Sequence, residues 1–200
     1  LNPVPDKHYN LGFGTAFYSV AAAPGSARQP DAQAADKAIE LLREHKDEPF
    51  FLAVGFVRPH VPLVSPAEYY DPYTPSELSL PPTYEGDWGD IPKPGISGYN
   101  SQRRGIDSSE QKQEILQAYY AAVTFMDAQV GRVLDELDAL GLADDTVVVF
   151  TADHGFHLGE HDFWQKLSLH EESARIPLIV AGPGIAPGET GALAEQIDLY

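Results

Sequence analysis

Asp153 and His154 stand side by side at the end of an apolar run, Val147-Val148-Val149-Phe150, and are followed by Gly155. A carboxylate and an imidazole on adjacent residues can hold a metal ion against a bound anion, and the glycine lets the backbone turn tightly after them. Alone, such a pair reads more readily as an Asp capping the next segment beside a satisfied surface His. The continuation FHLGEHDFWQK adds His157, Glu160, His161 and Lys166 within a few turns of chain. A second group of the same kind follows another apolar run: Arg58-Pro59-His60-Val61-Pro62, where two prolines stiffen the exit and fix where the basic side chains aim. In isolation that loop reads as rigid, with a solvated Arg and His. If both runs are strands of one sheet, their carboxyl ends share an edge, and the two groups meet there.

The elements that must position these residues are legible around them. Residues 31–46, DAQAADKAIELLREHK, are helix formers with Ala35, Ala38, Ile39 and Leu42 on one face, which predicts an amphipathic helix packed on a sheet. Phe50 to Val57 is continuously apolar, the pattern of a strand buried on both faces. Ser108 to Leu140 is the longest predicted helix, opened by a Ser108-x-x-Gln111 capping box and closed by Gly141. Its stripe is Ile115, Tyr119, Val123, Met126, Val130, Val133, Leu137 and Leu140. Glu114, Asp127, Asp135, Glu136 and Asp138 form a solvated face. Arg175 to Ala181 is a further apolar strand stopped by Gly182-Pro183-Gly184. Strands alternating with helices predict an α/β domain with a parallel or mixed sheet flanked by helices.

Between these elements, residues 62–107 hold most of the prolines and many tyrosines, and predict an ordered excursion over the site entrance. Tyr69, Tyr70, Tyr73, Tyr84 and Trp88 either wall a substrate site or cover the core. Residues 1–30, rich in Pro, Gly, Ala and Ser, predict irregular surface structure. The end of the chain, Gln196 to Tyr200, reads as a strand end entering a helix.

Composition sets the outer limits. With 43% hydrophobic residues in 200, the chain can bury the core of one sizeable domain. A net charge of −17 argues against nucleic-acid or anionic-membrane partners, and also against long-range attraction of a polyanionic substrate. No apolar run approaches a membrane span. Cysteine is absent, which excludes disulfides, zinc-thiolate sites and a Cys nucleophile among these residues.

Three chemical readings fit the central segment. His157-Leu158-Gly159-Glu160-His161 matches H-x-x-E-H, the pattern of inverted zinc peptidases, although Gly159 would weaken by about 1 kcal/mol the helix that must align both histidines. Thr151-Ala152-Asp153-His154-Gly155 resembles the metal-binding strand end shared across the alkaline phosphatase superfamily. The longer string TADHGFHLGEHDFWQK, with Ser168, Glu171, Glu172, Arg175 and Ile176-Pro177-Leu178-Ile179, resembles the sulfatase family, of the iduronate-2-sulfatase and choline-sulfatase type. Phe50 to Phe56 with Arg58-Pro59-His60-Val61-Pro62 matches a second block of that family, in the family's order.

The resemblance implies an alkaline-phosphatase-like α/β fold with a mixed, mostly parallel sheet, and a sulfuric ester hydrolase. It makes residues 1–200 the central part of one catalytic domain, truncated at both ends. It implies that Asp153 and His154 ligate a divalent cation, Ca2+, although an imidazole ligand by itself suits Zn2+ or Mn2+ better than hard calcium, and Mg2+ is a further alternative. It makes His60 and Lys166 catalytic and sulfate-binding, with Arg58 a further basic position of the motif. The family's nucleophile, a formylglycine made within C/S-x-P-x-R, has no counterpart here and is expected upstream of Leu1, so the chain alone is expected to be inactive. The partner implied is a sulfated small molecule or carbohydrate, and the compartment periplasmic or extracellular. A phosphoryl-transfer enzyme of the same superfamily and a catalytically silent binding domain remain as alternatives.

Overall fold

The computed structural model describes residues 7–8, 18–22 and 29–199. In chain order the strands and helices are β1 (Lys7–His8), β2 (Tyr18–Ala22), α1 (Pro30–His45), β3 (Leu63–Pro66), α2 (Ser101–Arg104), α3 (Ser109–Ala139), β4 (Val148–Thr151), β5 (His157–Leu158), β6 (Trp164–Gln165), α4 (Glu171–Ala174) and β7 (Leu178–Ala181). The fold is α/β. Its pairings are mixed: β2–β3 is parallel, whereas β1–β2, β4–β7 and β5–β6 are antiparallel. Parallel pairing is therefore confined to β2–β3 among the described residues.

Pro30 sits in the first turn of α1, where its missing N–H costs nothing. Ala32, Ala35, Ala38 and Leu42 recur at helical spacing and are buried, while Ile39 is only half-buried. The face they make lies on α3 rather than on a sheet. Alanines allow two helices to approach closely, and ion pairs tie the rims. Arg43 holds Glu136 through two bonds of 2.8 and 2.7 Å, and Arg132 reaches Asp36. Glu136 is thus not a purely solvated charge.

The capping box of α3 forms as expected, with Gln111 N–H donating to Ser108 Oγ at 3.2 Å and Ser108 N–H donating to Gln111 Oε1 at 3.0 Å. At the other end Gly141 takes φ 71°, and Leu142 N–H closes on Leu137 O at 3.0 Å. The buried stripe runs through Ile115, Leu116, Ala118, Ala121, Ala122, Phe125, Gln129 and Leu137. Val123, Met126, Val130 and Val133, expected in it, are half-buried. Close helix-on-helix contact selects the small alanines, and apolar periodicity alone gives them too little weight.

Two expectations for strands are corrected. From Phe51 to Val57 the chain alternates exposed and half-buried residues, the period of an extended segment, but it joins no ladder among the described residues. Strand formation needs a neighbouring backbone to take its N–H and C=O groups, and apolar composition does not supply one. Conversely, β1 and β2 lie within residues 1–30, expected to be irregular; Tyr18 to Ala22 becomes a strand because residues 63–66 lie alongside it. The remainder of residues 1–28 falls outside the described residues, as does Tyr200. Gln196–Leu199 is a 3-10 turn.

The excursion at 62–107 is fastened to α3. Gln117 Nε2 donates to Tyr73 O at 2.7 Å and Gln113 Nε2 to Leu78 O at 3.1 Å. The core gathers Ala21, Leu63, Tyr70, Ile106, Ile115, Leu116, Ala118, Ala121 and Trp164. Among the described residues no helix is long and apolar enough to cross a membrane.

Candidate functional site

The loop after Val57 is built by hydrogen bonds to its own backbone. Asp31, buried in the first turn of α1, accepts the N–H of Val57 at 2.8 Å on one oxygen and that of Arg58 at 2.9 Å on the other. Arg58 turns back on the loop, donating from Nε to Val64 O at 2.7 Å and from Nη1 to His60 O at 3.0 Å. The Arg58–Pro59 and Val61–Pro62 bonds are both cis. His60 is left at the tip, exposed, with Nδ1 2.6 Å from Val61 O. A carbonyl oxygen only accepts, so Nδ1 carries the proton and the neutral ring presents a lone pair at Nε2.

At the end of β4 the backbone turns through Asp153 to Gly155. Gly155 N–H donates to Ser173 O at 2.8 Å. A Cβ at position 155 would collide with the carbonyl oxygens of Glu172 and Arg175, so this close approach admits only glycine. His154 repeats the arrangement of His60: its Nδ1 lies 2.7 Å from Gly155 O, leaving Nε2 with the lone pair. The Asp153 carboxylate is exposed, with Oδ2 3.5 Å from His154 Nε2.

Lys166 brings the two groups together. Its Nζ lies 2.9 Å from His154 Nε2 and 3.3 Å from His60 Nε2. An ammonium has donors only, and each imidazole offers it an acceptor. Three of the residues singled out in the sequence thus converge on one point, with Asp153 beside His154. Arg58 faces the backbone that holds His60, so its visible contacts orient the loop.

The donor set suits half of a cation site. Asp153 Oδ2 and His154 Nε2 are close enough to share an ion, while no group of three or more His, Asp or Glu side chains gathers as a cation site among the described residues. One lone pair serves one partner, so ligation through His154 Nε2 excludes its contact with Lys166.

The H-x-x-E-H reading fails on geometry. His157 lies in β5, Gly159 has φ 117°, and His161 has φ 55°, so the histidines are not one helical turn apart. His157 is completely buried, and burial pushes its pKa down to about 4, opposed by the nearby Glu172 and assisted by His170 and His161. His161 instead pairs with Asp87 of the excursion at 2.8 Å, and Trp88 Nε1 donates to His161 O at 2.7 Å.

The aromatic residues divide between the two roles considered for them. Tyr69 stacks edge-on against Phe125 and Tyr73 tilts over Tyr120, covering the core. Burial raises the Tyr70 phenol to about 12, so it stays protonated and donates to backbone carbonyls. Tyr84 and Trp88 line a cleft of about 340 Å3 with Asp87, His161 and Asp162. The His161–Asp87 tie joins segments far apart in sequence, and no local motif announces it. Left-handed backbone at Gln165 (φ 66°) and Leu167 (φ 73°), on either side of Lys166, had no sequence signal either.

Comparison with known proteins places these residues in context. The family profile described as Sulfatase matches residues 2–200. The chain is 38% identical over 177 residues to a sulfatase of Formosa agariphila, covering 86% of this chain and 35% of that protein. It is 38% identical over 180 residues to iduronate 2-sulfatase of Homo sapiens, covering 83% and 32%. Among solved structures, phosphonate monoester hydrolase from Silicibacter pomeroyi superposes with a TM-score of 0.72 at 30% identity, over 88% of this chain and 36% of that one. The chain spans about a third of the length of the curated relatives it matches.

Proposed function

Because the chain belongs to the sulfatase family, we propose that it is the central part of a catalytic domain that hydrolyses sulfuric esters, and that His60 and Lys166 face the sulfate, beside His154. The observation that carries this reading is the placement of Lys166 Nζ between two imidazole Nε2 atoms delivered by separate segments. A sulfate ester is a compact anion, and its bridging oxygen gains charge as the S–O bond breaks. Lys166 directs N–H groups at the non-bridging oxygens and holds the sulfuryl group in place, with its positive charge near the departing oxygen. His60, once protonated at Nε2, gives its proton to the departing alkoxide, and Lys166 beside it is the alternative donor. Arg58 and Asp31 keep His60 at this position by fixing the backbone of its loop.

Asp153 and His154 would hold a divalent cation, Ca2+ by family likeness, with Mg2+, Mn2+ and Zn2+ as the other choices; when bound it supplies Lewis-acid polarisation of the sulfate oxygens. The nucleophile, a formylglycine, would come from outside these residues. On this reading the 200-residue chain alone does not turn over a sulfate ester. The substrate is a sulfated small molecule or carbohydrate, and the compartment periplasmic or extracellular.

The superposition on a phosphonate monoester hydrolase favours one second reading, cleavage at phosphorus by the same framework. Assay of the full-length parent on an aryl sulfate and on aryl phosphate and phosphonate esters separates the two. Faster turnover of the sulfate is expected. Preference for the phosphorus esters, or a Ser or Thr nucleophile without formylglycine, would overturn the sulfatase reading.

A further inference from the structure

Lys166 is carried by an unusual stretch of backbone. β5 and β6 pair His157 with Gln165 and Leu158 with Trp164, so Lys166 emerges directly after a two-residue strand whose side chains are both buried. Trp164 is pinned by its N–H to Tyr99 O at 2.6 Å and by Nε1 to Ser101 Oγ at 2.8 Å. Gln165 and Leu167 then both take left-handed backbone, at φ 66° and 73°. For residues other than glycine such a conformation is strained and persists only where surrounding structure enforces it. Leu167 is 65% exposed, so its own side chain does not enforce it.

What closes the stretch is the contact between His157 Nε2 and Ser168 Oγ, at 2.6 Å. His157 has no exposed surface, and its other ring nitrogen has no hydrogen-bond partner. Glu160 Oε2 lies 3.9 Å from it, too far to bond, and is occupied by Leu158 N–H at 2.7 Å. Burying an imidazole with one nitrogen unsatisfied is unfavourable. An apolar side chain would fill the same space among Phe163 and His170 without that cost. The polar function of the ring is therefore its single bond to Ser168.

We propose that His157 and Ser168 are positioning residues for Lys166: their hydrogen bond fastens the chain just past the lysine to the strand before it, holds the left-handed turn, and so sets where Nζ points. This rests on Lys166 acting at the sulfate. The test uses the full-length parent and an aryl sulfate. Ser168→Ala removes the hydroxyl while leaving the buried packing of His157 in place. It is expected to lower kcat by about ten- to a hundredfold, the scale of a small misplacement of a catalytic group, with KM little changed and the melting temperature lowered, since the buried ring then has neither nitrogen bonded. Ser168→Thr, which keeps the hydroxyl, is expected to restore most of kcat. In a Lys166→Ala background Ser168→Ala is expected to cause no further loss, because its effect passes through the missing amine. Wild-type kcat in Ser168→Ala, or the same fold loss with and without Lys166, would overturn the inference while leaving the functional reading intact. Absence of sulfate turnover by the wild-type parent would sink both.

Discussion

The β4–β7 ladder and the segment that leaves it, residues 153–170, have adjoining sequences and opposite characters. The ladder is built from β-branched and apolar residues, yet Val149, Ile179 and Val180 are 51%, 58% and 43% exposed. The segment beyond it is rich in polar residues, yet His157, Phe163, Trp164 and Gln165 are buried. The ladder needs only a backbone neighbour to form: Val148 and Phe150 are half-buried, and every residue of β7 is exposed. The site segment is held by side-chain bonds to distant places: Asp162 to Ser101, Lys112 to Asp162, His161 to Asp87. Rigid placement of the candidate site thus comes from the excursion and α3 as much as from the strand that leads into it.

That contrast can be broken or sharpened. The largest effect is expected from Lys166→Ala in the full-length parent: a fall in kcat of about 10²–10⁴-fold with an unmoved melting temperature, as for removal of an acid or an anion-stabilising donor. Loss of thermal stability with retained turnover would make Lys166 structural. Gly155→Ala comes next. The added methyl has carbonyl oxygens in its way on the α4 side, so unfolding in urea should show a loss of about 3 kcal/mol, within the range for overpacking a tight site. A loss below about 0.5 kcal/mol would mean that the turn relaxes freely.

A comparable energy is stored in His157 and is released by acid. Its folded pKa, about 4, lies below the ordinary value of 6.5, so the neutral ring favours the folded state. The contribution, about 3 kcal/mol, is present in full above pH 6.5 and is lost as pH falls from there toward 4. Glu160 and Glu172 on one side and His161 and His170 on the other modulate it. Urea unfolding across that window should show the slope in wild type and a flatter one in His157→Leu; equal slopes would assign it to other groups. The smallest effect is expected on the ladder. In the 200-residue chain Val149→Thr, at a half-exposed position, should change unfolding free energy by no more than about 0.5 kcal/mol.

Much of the framework was written in local patterns. Helices α1 and α3 announce themselves by spacing, and the cap at Ser108 and Gln111 by residue type. The apolar stretches before Asp153 and Arg58 lead into the two segments whose histidines the structure brings together at Lys166. What misled was apolar content read as strand burial. Phe50 to Val57 has the composition of a ladder strand, but a ladder depends on a second segment, and no residue within the run records whether one is there. The expected stripe on α3 held at Ile115 and Leu137 but missed the alanines, which become core only when another helix comes close enough to need them.

By itself the sequence determined which side chains were available: an Asp-His pair before a glycine, a histidine stiffened between prolines, and a lysine two residues after a Trp. Side-chain chemistry is a property of residue type, whereas the need for glycine at 155 comes from the carbonyl oxygens of Glu172 and Arg175 packed against it. Only the tertiary structure decided that His60 and His154 both turn a lone pair toward one amine, that Arg58 serves the loop behind His60, and that left-handed backbone and the His157–Ser168 bond bracket Lys166. These are relations between residues up to 106 positions apart. They exist only when packing brings separate stretches within the 2.5–3.3 Å over which hydrogen bonds act.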